Sequence, residues 1–311
     1  MADIAVDIPT DLGGLRIDQA LAALLPEYSR SRLQDWIKQG LVLVDGSPIS
    51  AKQRIAGGEH VSLRPQMPAT TTSLAEDIPL RIVHEDEDIL IIDKPDGLVV
   101  HPAAGHAAGT LLNALLNHAP DLASLPRCGI VHRIDKDTTG LLMVARTLRA
   151  HKALVDQLQA RSVHREYLAL VQGTPVAGGT VDLPIGRHPV DRKRFAVIPD
   201  GKLAITHYRI ERRFAGHTLL RIKLETGRTH QIRVHMTHLH YPLVGDPSYG
   251  RLRLPAGASD AMIDALRAFH RQALHAAVLG LTHPATGQYC QWTSPLPDDF
   301  QQLLEALDPS P

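Results

Sequence analysis

At 311 residues the chain has room for two domains, one of them with a large core. Its 33 basic and 33 acidic residues cancel, which removes the global signature of a nucleic-acid binder and counts mildly against one, so only local charge can argue for such a partner. Two cysteines, Cys128 and Cys290, are too few for a disulfide framework and lack the paired spacing of a zinc site. No apolar run reaches membrane-spanning length, and the acidic start MADIAVDIPTD lacks a basic region leading into an apolar one, so a cytoplasmic protein with no membrane contact is expected.

Residues 1–14 read as an N-terminal tail, 15–64 as a small domain, 65–79 as a linker and 80–311 as a large domain. In the small domain, Asp18 can cap a helix that runs through Leu25 and stops at Pro26. Ser31 with Gln34 fits a capping box for a second helix carrying Leu33, Trp36 and Ile37, and Gly40 suits its C-terminal cap. Leu41–Val44 and His60–Leu63 read as strands around a hairpin turn at Asp45-Gly46. This order, with the run SRSRLQDWIKQGLVLVDG, resembles the S4 RNA-binding module. That resemblance implies phosphate contacts from Arg30, Arg32 and Lys38, with Lys52 and Arg54 beside them, because cations supply the sequence-independent part of RNA affinity. A solvated helix face is the competing reading. The Pro-, Thr- and Ser-containing stretch Pro65–Pro79 has little periodicity and reads as a flexible connection.

The large domain alternates irregularly. Strands are expected at Ile89–Asp93, Leu98–Val100, Leu141–Ala145, Glu166–Val171, Leu203–Glu211, Thr218–Glu225 and Leu274–Leu279. Helices are expected at Thr110–Asn117, Thr147–Gln159, from Thr229 to Leu239, Asp260–His270 and Phe300–Leu307. Without a βαβ rhythm this is an α+β pattern. The acidic stretch Asp77–Asp93 and the basic stretch Arg209–Arg233 allow a polarised surface.

The chain is organised around GIVHRIDKDTTGLLMVAR, Gly129–Arg146. Here a polar cluster and a Thr138-Thr139-Gly140 turn stand directly before an apolar run that reads as a core strand, so Asp135 belongs at the rim of a rigid sheet. Three further motifs follow the same logic: DILIIDKPDGLVVHP from Asp88, HREYLALVQG from His164, and LETGRTHQIRVHMTHLHYPLVGDPSYG from Leu224. Together, over roughly residues 80–300, they resemble the RluA-type pseudouridine synthases. The resemblance implies a mixed, mostly antiparallel central sheet with flanking helices, preceded by the S4-like ααβ domain. It also implies isomerisation of uridine in structured RNA, most closely 23S ribosomal RNA and its helix 69 hairpin.

The same resemblance implies the site. Asp135 is the catalytic carboxylate, attacking C1′ or removing the C2′ proton; Arg233 pairs with it and favours its ionised form. Tyr167 stacks on uracil and takes the C5 proton. Arg133 fills the space of the flipped nucleotide, with an ion pair to Asp137 as the alternative. Leu274 forms an apolar floor, and Arg228, Lys94, His101 and His230 are rim or RNA-contacting residues. Since nothing is added or removed, no cofactor and no metal are expected, and an asymmetric RNA hairpin fits a monomer. Two rival readings stand beside this one. His230, His235, His238, His240, His101 and His106 suggest a metal hydrolase, although no HExxH pattern is present. A non-catalytic S4-type ribosome-assembly factor is the other.

Overall fold

The computed structural model describes residues 3–26, 28, 30–65, 73–103 and 106–308. Its N-terminal unit begins with β1 (Ile4–Asp7), not with a tail, because the alternation Ile-Ala-Val-Asp gives β1 one inward face and it pairs antiparallel along its length with β4 (His60–Leu63). Helices α1 (Ile17–Leu24) and α2 (Arg30–Lys38) pack on a four-stranded sheet in the order β1-β4-β2-β3, where β2 (Val42–Val44) and β3 (Ser47–Pro48) flank the Asp45-Gly46 turn. Ile17, Leu21, Leu33, Trp36, Val61 and Leu63 fill the core.

Two capping expectations give way to packing. Asp18 lies inside α1, wholly buried, and accepts hydrogen bonds from Arg16, Arg30 and Gln34 on one carboxylate oxygen. Burial opposes its charge, but the bonds from Gln34 and Arg30 outweigh it and hold its pKa below the usual carboxylate value. Because α2 starts at Arg30, Ser31 falls inside it and Gln34 is turned to Asp18. Residues 66–72 of the expected linker lie outside the described residues. From Leu74 onward the chain is docked on the large domain: Asn113 donates to the Leu74 carbonyl at 2.7 Å, and Glu76 accepts from the Gly109 amide at 3.0 Å.

The large domain carries a nine-stranded sheet. Its strands are β5 (Ile82–Glu85), β6 (Ile89–Lys94), β7 (Thr139–Ala145), β8 (His164–Gln172), β9 (Gly179–Asp182), β12 (Ile205–Phe214), β13 (His217–Leu224), β14 (Leu274–Thr282) and β15 (Tyr289–Thr293). They run β5-β6-β7-β14-β8-β13-β12-β9, with β15 added to β14, and every pair is antiparallel except β7–β14. A separate ribbon, β10 (Ile185–Arg187) with β11 (Phe195–Val197), stands off the sheet. Helices α3 (Leu111–His118), α4 (Leu148–Gln159), α5 (Gln231–His238), α6 (Asp260–Ala268) and α7 (Asp298–Leu307) flank it. The fold is α+β with a mostly antiparallel central sheet.

The strands β6 and β7 are buried along their whole length, which explains why they read as continuous apolar runs. Leu98–Val100 forms only a bridge from Val99 to Thr110. The turn expected at Thr138-Thr139-Gly140 sits earlier, at Lys136-Asp137, and Thr139 and Gly140 already belong to β7. Gly140 is required there by close approach: at φ +106° a Cβ would lie 2.3 Å from the Ala276 carbonyl of β14. Within the acidic and basic stretches Glu85, Asp88, Asp93, Arg212 and Arg221 are each ion-paired. Among the described residues no helix is long and apolar enough to cross a membrane.

Candidate active site

The loop between Ile130 and Thr139 delivers Asp135 to the end of β7, and three buried contacts fix that loop. His132 accepts the Met143 amide of β7 on Nε2 at 3.0 Å; burial, then the charge of Arg165, pushes its pKa down to about 3, so the imidazole is neutral and can accept. Lys94 is not at the rim. It is wholly buried at the end of β6 and donates to the carbonyls of Pro95, Leu98 and Lys136 at 2.6, 3.0 and 2.7 Å, tying the Lys94–Leu98 turn to the residue after Asp135. Burial lowers its pKa to about 8, against the opposing pull of Asp137, Asp96 and Asp135. Gln272 donates to Thr138 at 3.1 Å from the far side.

Arg233 reaches Asp135 from the first turn of α5, which begins after His230 rather than at Thr229, because His230 takes the left-handed conformation at φ 56°. Gln231 accepts from Thr226 and the Arg228 amide and donates to the Ile205 carbonyl and Thr206, so the entry to α5 is locked to β12. Arg233 Nη1 donates to Asp135 Oδ2 at 3.0 Å, while Nε and Nη2 meet Asp246 at 2.7 and 2.8 Å. Burial alone would weaken the guanidinium's hold on its proton; the two carboxylates, Asp246 foremost, carry its pKa above the ordinary arginine value. Asp246 also accepts the amides of Ser248 and Tyr249, and the Tyr249 ring lies 5.0 Å from the guanidinium carbon.

His230 Nε2 stands 3.9 Å from Asp135 Oδ1. Burial depresses its pKa despite Asp135, so it is a neutral neighbour, not an ion-pair partner. The other histidines of the 230–240 segment do not converge: His235 is buried between Thr206 and the Leu183 carbonyl, at 2.9 and 3.0 Å. Among the described residues no group of three or more His, Cys, Asp or Glu is arranged to hold a metal ion.

Asp135, Tyr167, Arg233, Arg133, Arg228 and Leu274 line one narrow cavity of about 100 Å³. Tyr167, on β8, and Leu274, at the start of β14, are buried. Burial raises the Tyr167 pKa, Arg165 pulls it back and Asp135 pushes the same way as burial. Arg133 is exposed, and no ion pair to Asp137 forms among the described residues. Arg228 is exposed and donates to the Leu203 carbonyl at 2.9 Å. A wider cavity of about 750 Å³ adjoins the first and shares Arg133, Arg165, Gly227 and Arg228 with it; His101 lines this second one. Arg30, Arg32 and Lys38 belong to the N-terminal unit: Arg30 is bonded to Asp18, Arg32 lies 6.0 Å from the Trp36 ring centre, and Lys38 is exposed. Motif reading missed Asp246, Arg165 and His132 as parts of the site. Each had a local signal: His132 and Arg165 stand inside the motifs around Asp135 and Tyr167, and Asp246 lies between Gly245 and Pro247 beside a turn.

The site thus joins a carboxylate held by a clamped arginine to a buried tyrosine in one cavity, beside a cleft lined by Arg133, Arg165 and Arg228. Residues 88–238 match the family described as RNA pseudouridylate synthase, and residues 15–61 match the S4 domain. The chain is 58% identical to ribosomal large subunit pseudouridine synthase D of Pseudomonas aeruginosa, over 99% of this chain and 96% of that one. It is 54% identical to the protein of the same name from Escherichia coli K12, over 94% and 91%. The solved structure of human RNA pseudouridylate synthase domain containing 4 shares 25% identity and superposes with a TM-score of 0.56, covering 73% of this chain and 92% of that one. The chain belongs to the RNA pseudouridylate synthase family and is an isomerase of that class, with an S4 domain at its N-terminus.

Proposed function

We propose that this enzyme converts uridines to pseudouridine in 23S ribosomal RNA, in the helix 69 hairpin, with Asp135 as the catalytic carboxylate. The observation that carries the reading is the Asp135–Arg233 contact at 3.0 Å, opposite Tyr167 in one cavity. The names of its relatives point to the large ribosomal subunit, and resemblance supports the hairpin.

Arg133 enters the space of the target nucleotide as it leaves the stack, since a paired base cannot expose its sugar. Arg233 holds Asp135 by its Nη1 hydrogen bond. Asp135 then attacks C1′ as the C1′–N1 bond breaks and uracil leaves as an anion, or it removes the C2′ proton to give a glycal. Uracil turns between Tyr167 and Leu274, and C5 bonds to C1′ as the C1′–Asp135 bond breaks or, on the glycal route, as Asp135 returns its proton to C2′. The C5 proton leaves through Tyr167, N1 is protonated, and the atoms balance as an isomerisation. With its pKa raised by burial Tyr167 is a neutral phenol, so it relays: it takes the C5 proton as its own leaves to water, and water returns a proton to N1. A uracil filling this cavity displaces water that would hydrolyse the intermediate. The N-terminal unit adds RNA affinity through its cations, and the enzyme works as a cytoplasmic monomer without metal or cofactor.

The test is pseudouridine mapping on unmodified large-subunit RNA incubated with wild type and Asp135→Asn, without metal or nucleotide. Modification of helix 69 by wild type alone is the expected result. RNA binding by both with pseudouridine from neither would overturn the target assignment.

A further inference from the structure

Three arginines are buried among the described residues, and two are clasped by a carboxylate at two points: Arg233 by Asp246 and Arg271 by Asp299. Arg165 is the third. It is 7% exposed, donates Nη2–H to the Glu225 carbonyl at 3.1 Å, and among the described residues has no acidic partner and no partner for its Nε. The Glu225 carboxylate is turned elsewhere, to His207 and Arg161.

A buried cation without a counter-ion opposes folding and is retained where an anion arrives to complete it. Arg165 lies where one would arrive, in the wall shared by the narrow cavity of Asp135 and the wide one beside it. The approach is open because residue 227 is glycine: a Cβ there would stand 2.9 Å from Arg165 Nη1. Arg133 and Arg228 flank the same passage, so the anion enters a cationic channel.

We propose that Arg165 is a phosphodiester receptor, binding a backbone phosphate next to the target nucleotide as the RNA passes from the wide cavity into the narrow one. The assignment rests on the reading that this cleft takes RNA. A planar guanidinium offers paired donors to two phosphate oxygens, and receipt of the phosphate neutralises the orphan charge. The receptor sets how far the flipped nucleotide can travel before its C1′ meets Asp135.

The test uses the full chain, a hairpin RNA of the helix 69 sequence, and the same RNA with single neutral methylphosphonates flanking the target. Arg165→Met and Gly227→Ala are compared with wild type by equilibrium binding, single-turnover rate at saturation, and thermal melting. Gly227→Ala meets only the movable end of Arg165, so it keeps the fold if Arg165→Met does not. The expected result is binding weakened about tenfold in both variants, a lowered saturating rate in Arg165→Met, melting of Arg165→Met no earlier than wild type, and one methylphosphonate that weakens wild type but not Arg165→Met. Equal methylphosphonate penalties in wild type and Arg165→Met, or an early-melting Arg165→Met that binds normally, would overturn the proposal. If wild type binds the hairpin but makes no pseudouridine, the target reading fails, while the phosphate coupling still decides the role of Arg165.

Discussion

Asp246 clasps Arg233 at two points, Nε to Oδ2 at 2.7 Å and Nη2 to Oδ1 at 2.8 Å, and leaves Nη1 to meet Asp135 at 3.0 Å. The guanidinium's direction is set from behind, by a carboxylate whose side chain is wholly buried. A flexible arginine so clamped loses little freedom when the substrate enters.

Replacing Asp246 by Asn keeps the shape and removes the charge. With its oxygen kept at the Oδ1 position the amide still serves three donors, Arg233 Nη2 and the Ser248 and Tyr249 amides, but its N–H₂ faces Arg233 Nε. Breaking a buried pair in this way costs about 3–5 kcal/mol, and a misdirected Arg233 lowers the single-turnover rate by about 10². Urea unfolding and single-turnover pseudouridine formation measure the two effects. A fast, stable Asp246→Asn would show that Asp135 needs no clamped partner.

Lys94 gives a pH dependence. Its pKa falls from 10.5 to about 8 in the fold, so between those values the unfolded chain holds a proton that the folded one has released. Stability from this group therefore rises with pH, from its lowest value below about 8 to its full value above 10.5, by about 3 kcal/mol in all. Urea unfolding of wild type and Lys94→Met at pH 7.5 and pH 10 isolates the term. The difference, wild type minus variant, is expected to grow at the higher pH; a constant difference would mean that Lys94 keeps an ordinary pKa in its three-carbonyl cage.

Gly140→Ala tests the start of β7. The added Cβ meets three backbone atoms of Ala276 within 2.8 Å, at a φ of +106° that L-residues avoid. Neither strand can retreat, since β7 and β14 are both central. Strain at such a position costs about 1–3 kcal/mol before the clash is added, and thermal melting should fall sharply. An unchanged melting temperature would mean that the β7–β14 contact is looser than the register implies.

The strands and helices of the large domain were legible because burial leaves its mark locally: β6 and β7 as apolar runs, α4 as an amphipathic period after Thr147. Asp135, Tyr167 and Arg233 were legible as motif positions, not as neighbours, since Asp135 and Arg233 stand 98 residues apart. What escaped was whatever depends on a distant partner. Lys94 reads as a surface cation until the carbonyl of Lys136 is known to face it. Gly140 reads as a turn residue until β14 is laid against it. Asp18 reads as a helix cap, and only the packing of α1 on α2 makes it the anchor of Arg30.

That anchor separates two cations of α2 which the sequence presents alike. Lys38 is exposed at the C-terminal end of the helix, where a positive charge also suits the helix dipole. Lys38→Gln should weaken RNA binding modestly, reduce the slope of log affinity against log salt by about 1, and leave stability unchanged. Arg30 instead bonds to the buried Asp18, with half its side chain covered. Arg30→Gln should reduce the stability of the N-terminal unit by about 1–3 kcal/mol, the cost of leaving a buried acceptor short of a donor, and weaken RNA binding chiefly by loosening that unit. Salt-dependent binding and thermal melting of both variants check the division. A Lys38→Gln with no effect on the salt slope would remove Lys38 from the phosphate contacts, and an Arg30→Gln as stable as wild type would return Arg30 to them.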